Sequence, residues 1–516
     1  MNSCNILWID DEVDLLKSHI FFLEKKGFSI TTISNGYDAI DLVQNNPYDI
    51  IFLDENMPGL SGLDTLSKLK EWTQAPVIMI TKNEQEQIME EAIGAKISDY
   101  LIKPVNPNQI LLTIKKNLEF SKLINNKTNA DYQREFSSIG AMINDVNSFN
   151  DWINVYKKII YWELELDSLE ENNMLEILLN QKKDANTHFF KYIKKQYREL
   201  LVERSKNNIM FSHNVFEHYV LPKLHSKTPT FFLLIDNLRF DQWKVIQPLI
   251  ESYFTIKEDA YCSILPTATQ YARNSIFSGM TPMEMKMKFP NFWLDDIEEG
   301  GKNLHEKDFL NYQLEQLNCS KDFSFNKVFN LDHGKKMLDR MNEFLNKSLN
   351  VIIYNFVDIL SHAKTEMKMI KELTNDEKSY RDLTLTWFKN SPLFDLLKQL
   401  SNAKVDIIIT SDHGTMNVNE PSKVIGEKTI SSNLRYKTGR KIKFDNRDVF
   451  YVEDPEKIYL PKTNMSSSYI FAGPNKYFVY PNNYNHYAHH YINTYQHGGV
   501  SMEEMILPII SLKSKL

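Results

Sequence analysis

Asp412 and His413 close the apolar run Val405-Asp406-Ile407-Ile408-Ile409-Thr410. A carboxylate beside an imidazole is a sensible start for binding Zn2+. The pattern recurs: Thr230-Phe231-Phe232-Leu233-Leu234-Ile235 runs into Asp236, and Val351-Ile352-Ile353-Tyr354-Asn355-Phe356-Val357 runs into Asp358, with His362 four residues on. Each run reads as a strand buried on both faces. In open α/β sheets, chemistry gathers beyond the carboxyl ends of the strands. One strand-end acid is ordinary, but three, two of them with a nearby histidine, mark a site. Between the first two runs, Leu265-Pro266-Thr267-Ala268-Thr269 reads as a turn entering a helix, with hydroxyls where helix N–H groups favour an anion. Tyr495-Gln496-His497-Gly498-Gly499 adds a third histidine in a glycine-rich loop. Three Asp, three His and a Thr suffice for two Zn2+ ions around one phosphoryl position.

A second constellation lies near the N-terminus. Ile6-Leu7-Trp8-Ile9 ends in Asp10 and Asp11, Ile50-Ile51-Phe52-Leu53 in Asp54, Val77-Ile78-Met79-Ile80 in Thr81, and Tyr100-Leu101-Ile102 in Lys103. The three acids make a hard-oxygen pocket suited to Mg2+. With Thr81 and Lys103 they form a phosphoryl-transfer site in which Asp54 attacks and the hydroxyl and the lysine hold the phosphoryl group.

The elements that must position these residues fall into three expected parts, as 516 residues suggest. Residues 1–120 alternate strands and helical patterns at βαβ spacing, a doubly wound sheet. Residues 121–225 show only helical periodicity, with Trp152, Tyr156, Phe189, Phe190 and Tyr197 as the core stripe of an all-α bundle. His188, His213 and His218 lack acidic companions there and read as structural. Residues 226–516 form a second α/β region. A formal net charge of −7, and no helix-turn-helix or basic recognition helix, argue against constitutive DNA binding. No apolar run reaches membrane-spanning length and no signal peptide is evident. Three scattered cysteines fit a reducing cytoplasm. The lysines and arginines between Ser422 and Arg447 read as a solvated loop; for an oligonucleotide substrate, this is where phosphate contacts are expected.

The first part resembles the receiver domain of two-component response regulators, a (βα)5 fold. The resemblance implies that Asp54 is the phosphoacceptor, that Asp10, Asp11 and the Asn56 carbonyl complete the Mg2+ pocket, and that Thr81 and Tyr100 are the switch pair. It also implies a sensor histidine kinase as phosphodonor and a homodimer on phosphorylation. Lys82 departs from the pattern, in which a small residue follows the switch threonine.

The third part resembles the alkaline phosphatase superfamily, an α/β/α sandwich, and in particular its PglZ-type members. There one zinc is implied to take Asp236, Thr269, Asp412 and His413, and the other Asp358, His362 and His497. Thr269 is the implied nucleophile, with Thr267 its rival. The distance from Thr269 to Ser278-Gly279 matches the nucleotide phosphodiesterases of the superfamily. Arg273 and Asn274 are candidates for holding phosphoryl oxygens or else face solvent; Tyr271, His489 and His490 are weaker candidates for lining the pocket. The whole order resembles the PorX-type response regulators of Bacteroidota, a family linked to type IX secretion and sigma-factor partners. The expected function is an Asp-phosphorylated cytoplasmic switch joined to a two-zinc phosphodiesterase acting on nucleotides or oligonucleotides. The alternative is a phosphorylation-gated scaffold whose zinc is structural.

Overall fold

The computed structural model describes residues 4–82, 97–169, 173–202, 209–226, 228–319, 322–374, 376–427, 431, 433–447 and 449–515. The chain divides into two compact units, Met1–Gln133 and Arg134–Leu516.

In the first unit, β1 (Asn5–Ile9), β2 (Ser29–Ile33), β3 (Ile50–Asp54), β4 (Val77–Thr81) and β5 (Asp99–Ile102) form a parallel sheet in the order β2-β1-β3-β4-β5. Alternate side chains of its central strands feed two cores. Leu7, Ile9, Ile51, Leu53 and Met79 pack on Ala39, Leu66 and Leu69, whereas Ile6, Trp8, Phe52, Ile78 and Ile80 pack on Leu23, Ile110 and Ile114. A sheet buried on both faces explains why these strands are unbroken apolar runs. Asn35 and Ser61 cap the helices Gly36–Asn45 and Gly62–Leu69 by accepting from the N–H groups of Asp38 and Asp64, each worth about 1 kcal/mol. A Cβ on Gly62 would fall 2.4 Å from the Asp54 carbonyl oxygen, so only glycine lets this helix approach the end of β3. The fourth crossover, within 83–96, lies outside the described residues.

The second unit is built on β6 (Thr230–Ile235), β7 (Phe254–Cys262), β8 (Phe323–Val328), β9 (Leu349–Tyr354) and β10 (Asp406–Thr410). Seven short strands follow, β11 (Met416–Val418), β12 (Glu420–Lys423), β13 (Tyr436–Gly439), β14 (Val449–Val452), β15 (Ser468–Ala472), β16 (Lys476–Val479) and β17 (Thr494–Gln496), and then β18 (Ile506–Ser514). The main sheet runs β7-β18-β10-β6-β9-β8. Strands β10, β6, β9 and β8 are parallel, and β18 and β7 close one edge antiparallel. On one face, Phe231, Leu233 and Ile235 pack against Trp243, Ile246, Leu396 and Leu400. On the other, Phe232 meets Phe216 and Phe277 edge-on. This is the expected α/β/α sandwich.

Two features differ from expectation. The run Val351–Val357 is not one strand: β9 stops at Tyr354 and the helix Phe356–Glu366 starts at once. Asp358 and His362 therefore sit four residues apart on one helix face. The helices Phe149–Asp167 and Asn173–Val202 also do not form a separate body; they belong to the second unit. Their aromatic stripe is core, with Trp152, Tyr156, Phe189 and Tyr197 buried. A buried charge network explains the union. Arg381 donates to Glu163 at 2.6 Å and to Asp241 at 3.0 Å, Lys182 donates to Glu163 at 2.8 Å, and Asn186 donates to Glu503 at 3.0 Å. Burial opposes the ionised form of Glu163, but Lys182 and Arg381 outweigh it and hold the carboxyl below its usual range.

Among the described residues no helix is long and apolar enough to cross a membrane. Removing one member of a buried ionic network costs about 3–5 kcal/mol, because the others stay buried and unpaired. Glu163→Ala is accordingly expected to lower the urea midpoint of the second unit by that equivalent, while Glu135→Ala, at a pair with Lys158 whose side chains are 36% and 32% exposed, changes it by less than about 1 kcal/mol.

Candidate functional sites

Parallel strands of the first unit deliver Asp10, Asp54, Thr81 and Lys103 to one end of its sheet. Lys103 Nζ lies 2.9 Å from Asp10 Oδ2 and 2.9 Å from Asp54 Oδ1. Asp10, Asp11 and Asp54 bring ligand atoms within 4.8 Å of one another, a grouping able to hold a metal ion. Burial raises the Asp54 carboxyl above its usual range; Lys103 opposes this and Asp10 adds to it. Burial also works against the Lys103 ammonium, yet Asp54 and Asp10 keep it raised. The Thr81 hydroxyl donates to Glu55, a partner the sequence reading missed. Tyr100 is 39% exposed, Asn56 is exposed, and Lys82 reaches Glu12 at 3.2 Å.

The second site is built at the ends of β6, β9 and β10. Asp236 follows β6, Asp412 and His413 follow β10, and Asp358 and His362 come from the helix after β9. Two groupings emerge, Asp358 with His362 and His497, and Asp236 with Asp358 and His413. His413 Nε2 is 3.6 Å from Asp236 Oδ1 and 3.9 Å from Asp412 Oδ2. His497 Nε2 is 3.9 Å from Asp358 Oδ1, and His362 Nε2 is 3.6 Å from Asp358 Oδ2. The His413 and His497 rings stack at 4.3 Å. Asp358 thus belongs to both groupings, where the resemblance gave it to one.

The electrostatics of this cluster are unresolved by protein atoms alone. Burial, reinforced by Asp236, pushes the Asp412 carboxyl well above its ordinary range and Asp358 up to about 6. Burial pulls His413 below its usual value and His497 well below it, the latter helped by the neighbouring histidines. Asp236 Oδ1 and Asp412 Oδ2 are buried and accept no hydrogen bond among the described residues. Neutral imidazoles beside orphaned carboxylate oxygens form a donor set for cations. The residues fit a metal cluster.

Thr269 is the first residue of the helix Thr269–Ser278, and its Oγ1 lies 3.0 Å from His413 Nε2. Thr267 behaves differently. Its buried hydroxyl donates to the Gly499 carbonyl at 2.9 Å and accepts from Gly498 N–H at 3.1 Å, so it anchors the His497 loop. A Cβ on Gly414 would lie 2.0 Å from the Glu503 carbonyl oxygen, which makes glycine necessary directly after His413.

Of the two places expected for Arg273 and Asn274, solvent or phosphoryl oxygens, the first does not hold, since both are buried. Arg273 donates to Asp236 Oδ2 and to Glu306 Oε1, both at 2.7 Å. Asn274 Nδ2 donates to the Lys302 carbonyl at 3.1 Å, and its Oδ1 accepts from Asn303 at 3.1 Å. These are positioning contacts, made because the helix face after Thr269 is packed rather than open. Tyr271 is also buried, donating to Asp296 at 2.9 Å, while His489 and His490 sit exposed on the helix Tyr484–Tyr491. The sequence reading missed Asn237, Asn355 and Glu306. Asn237, at φ 65°, donates its side-chain amide to Asp358 at 3.3 Å and its backbone N–H to Asp412 at 3.3 Å. Asn355 donates to Asp236 Oδ2 at 3.0 Å. The two asparagines could have been suspected from their places at strand ends; Glu306 carries no local signal.

The chain is similar to known proteins in three stretches. Residues 215–512 match the BREX system PglZ alkaline phosphatase-like domain, residues 122–201 the PorX response regulator linker domain, and residues 6–115 the response regulator receiver domain. The transcriptional regulatory protein SrrA of Staphylococcus aureus is 34% identical over 113 residues, which are 22% of this chain and 47% of that protein. The chain therefore spans about half the length of the curated relatives it matches. A two-component response regulator from Clostridium difficile is similar at 32% identity, covering 23% of this chain and 97% of that one with a TM-score of 0.22. A CheY-like receiver protein from Methanospirillum hungatei is similar at 24% identity over 23% and 95%, also with a TM-score of 0.22.

Arg273→Ala leaves Asp236 and Glu306 buried without their shared cation, so a loss of about 3–5 kcal/mol is expected. Arg273→Lys should recover less than half, because an ammonium cannot span both carboxylates as the guanidinium fork does. Denaturant melts of the two variants beside wild type check this.

Proposed function

The chain belongs to the BREX system PglZ alkaline phosphatase-like family and has the receiver, linker and PglZ order of a PorX-type response regulator; from that premise we propose that its output is a two-zinc phosphodiesterase controlled by phosphorylation of Asp54. In this reading residues 1–120 receive the signal, 121–225 link, and 226–516 catalyse.

The observation that carries the catalytic half is Thr269 Oγ1 lying 3.0 Å from His413 Nε2, at the N-terminus of its helix and beside the Asp236–Asp358–His413 grouping. Asp236, Asp412 and His413 with Thr269 would hold one zinc, and Asp358, His362 and His497 the other. Bound there, Zn2+ lowers the pKa of a hydroxyl or water and neutralises phosphoryl charge. The residues themselves supply the rest. Thr269 Oγ attacks phosphorus and forms the P–O bond, and the substrate alkoxide leaves and takes up a proton. Water then cleaves the phospho-threonine, restoring the hydroxyl and releasing the phosphate product. Helix N–H groups beyond Ala268 favour the anion during both steps. Arg273, Asn237 and Asn355 keep Asp236, Asp358 and Asp412 in place. The supported substrate class is a phosphodiester, with nucleotide-containing ones preferred on the superfamily spacing noted above.

In the receiver, Asp54 accepts a phosphoryl group from a sensor histidine kinase, Asp10, Asp11, Asp54 and the Asn56 carbonyl would hold Mg2+, and Lys103 stabilises the added charge. Thr81 and Tyr100 report it. Homodimerisation on phosphorylation, a cytoplasmic location and contacts with sigma-factor or type IX secretion proteins complete this reading.

With zinc counted per chain, the purified protein is expected to hydrolyse a chromogenic phosphodiester, and Thr269→Val to lose activity by at least roughly 10^3-fold while retaining its metal. Zinc without turnover, with and without phosphorylation of Asp54, would make the metal structural and the protein a scaffold. Separately, Lys103→Ala is expected to abolish stable Asp54 phosphorylation by a small-molecule phosphodonor, measured by intact-protein mass.

A further inference from the structure

The basic stretch from Ser422 to Arg447 was expected to be a solvated loop, yet two of its cations are buried. Arg435 is consumed by Glu504. Lys437 is not consumed. It is 1% exposed on β13, opposite Ile470 of β15. Its ammonium donates to the Ser431 carbonyl at 2.9 Å and lies 4.6 Å from the centroid of the Tyr480 ring. Among the described residues it has no carboxylate partner, and burial alone pushes it down to about 7. Burying an ammonium on one carbonyl and one ring is costly. An anion at this place would remove the cost.

Lys437 lines a cavity of about 560 Å3, a size suited to a small organic ligand. Phe478, Tyr480, Tyr487 and Tyr491 line it too, with Glu427 at its exposed side. The Tyr487 and Tyr491 rings are near parallel, 12° apart in plane with centroids 6.3 Å apart. Tyr487 is 42% exposed, so its ring face is accessible. Aromatic faces beside a buried cation match a planar group that carries an anion. None of the seven cluster residues lines this cavity.

We propose that the cavity is a second, non-catalytic nucleotide site, with the base on the Tyr487 and Tyr491 rings and the phosphate on Lys437. Base–aromatic stacking is tolerant of base identity, so the site selects for a nucleotide rather than for one base. The helix Tyr484–Tyr491 leads through β17 to His497, which connects the site along the chain to the metal cluster.

The test is calorimetric titration of the full-length protein with 5′-AMP and with adenosine. Wild type is expected to bind AMP saturably and adenosine at least about tenfold more weakly. Lys437→Met should weaken AMP binding by about tenfold or more and Tyr487→Ala by about fivefold, while Lys437→Arg stays close to wild type. Turnover of a chromogenic phosphodiester should be unchanged in Lys437→Met, and Asp358→Asn should still bind AMP. Because Tyr487 is exposed, its variant keeps the test valid if the buried substitution unfolds the chain. No AMP binding by wild type, equal affinity in Lys437→Met and Tyr487→Ala, or loss of binding in Asp358→Asn would each overturn the site; the last would put the nucleotide at the metal cluster.

Discussion

Three carboxylates, Asp236, Asp358 and Asp412, are pressed together beyond the ends of three parallel strands, with too few donors to satisfy them. Arg273, Asn237 and Asn355 reach some of the oxygens; Asp236 Oδ1 and Asp412 Oδ2 accept no hydrogen bond among the described residues. Such crowding of like charge in a buried place is unfavourable by itself. The fold tolerates it because the surrounding sheet is heavily packed and because the adjacent imidazoles are held neutral and ready to accept. Much of the second unit is arranged around that compromise. Glu306 braces Arg273, Thr267 and Glu504 fix the loop that carries His497, and Gly414 lets the chain pass directly behind His413.

The first unit uses a related device with a different balance. There Lys103 bridges Asp10 and Asp54, so the acids are partly compensated by the protein's own cation and Asp11 remains exposed. A carboxylate compensated by a neighbouring lysine is suited to being modified and restored. An under-compensated, enclosed cluster is suited to holding cations permanently. The same strand-end architecture thus builds two acidic sites of different charge balance in one chain.

Much of this was legible in the sequence because strands buried on both faces leave unbroken apolar runs, and the residue after each run is placed by the sheet. The strand-end places of Asp10, Asp54, Thr81, Lys103, Asp236, Asp412 and His413 were legible that way. Asp358 was found with the wrong local structure, since Phe356 and Val357 suit a buried helix as well as a strand. Contacts between distant segments left less trace. Glu306 is 33 positions from Arg273, and nothing local in either says that they meet. The helical segment looked like a spacer because its polar face reads as solvated, whereas Glu163 and Lys182 on it are buried in an ion network with Arg381. Lys437 was hidden for the same reason, as charge runs are usually solvated.

The most direct test of this account is the divalent metal content of the purified full-length protein, by elemental analysis, beside Asp358→Asn. The account predicts two zinc ions per chain in wild type and fewer than one in the variant, because Asp358 belongs to both groupings. A folded wild-type chain that holds no divalent cation in the second unit would contradict it.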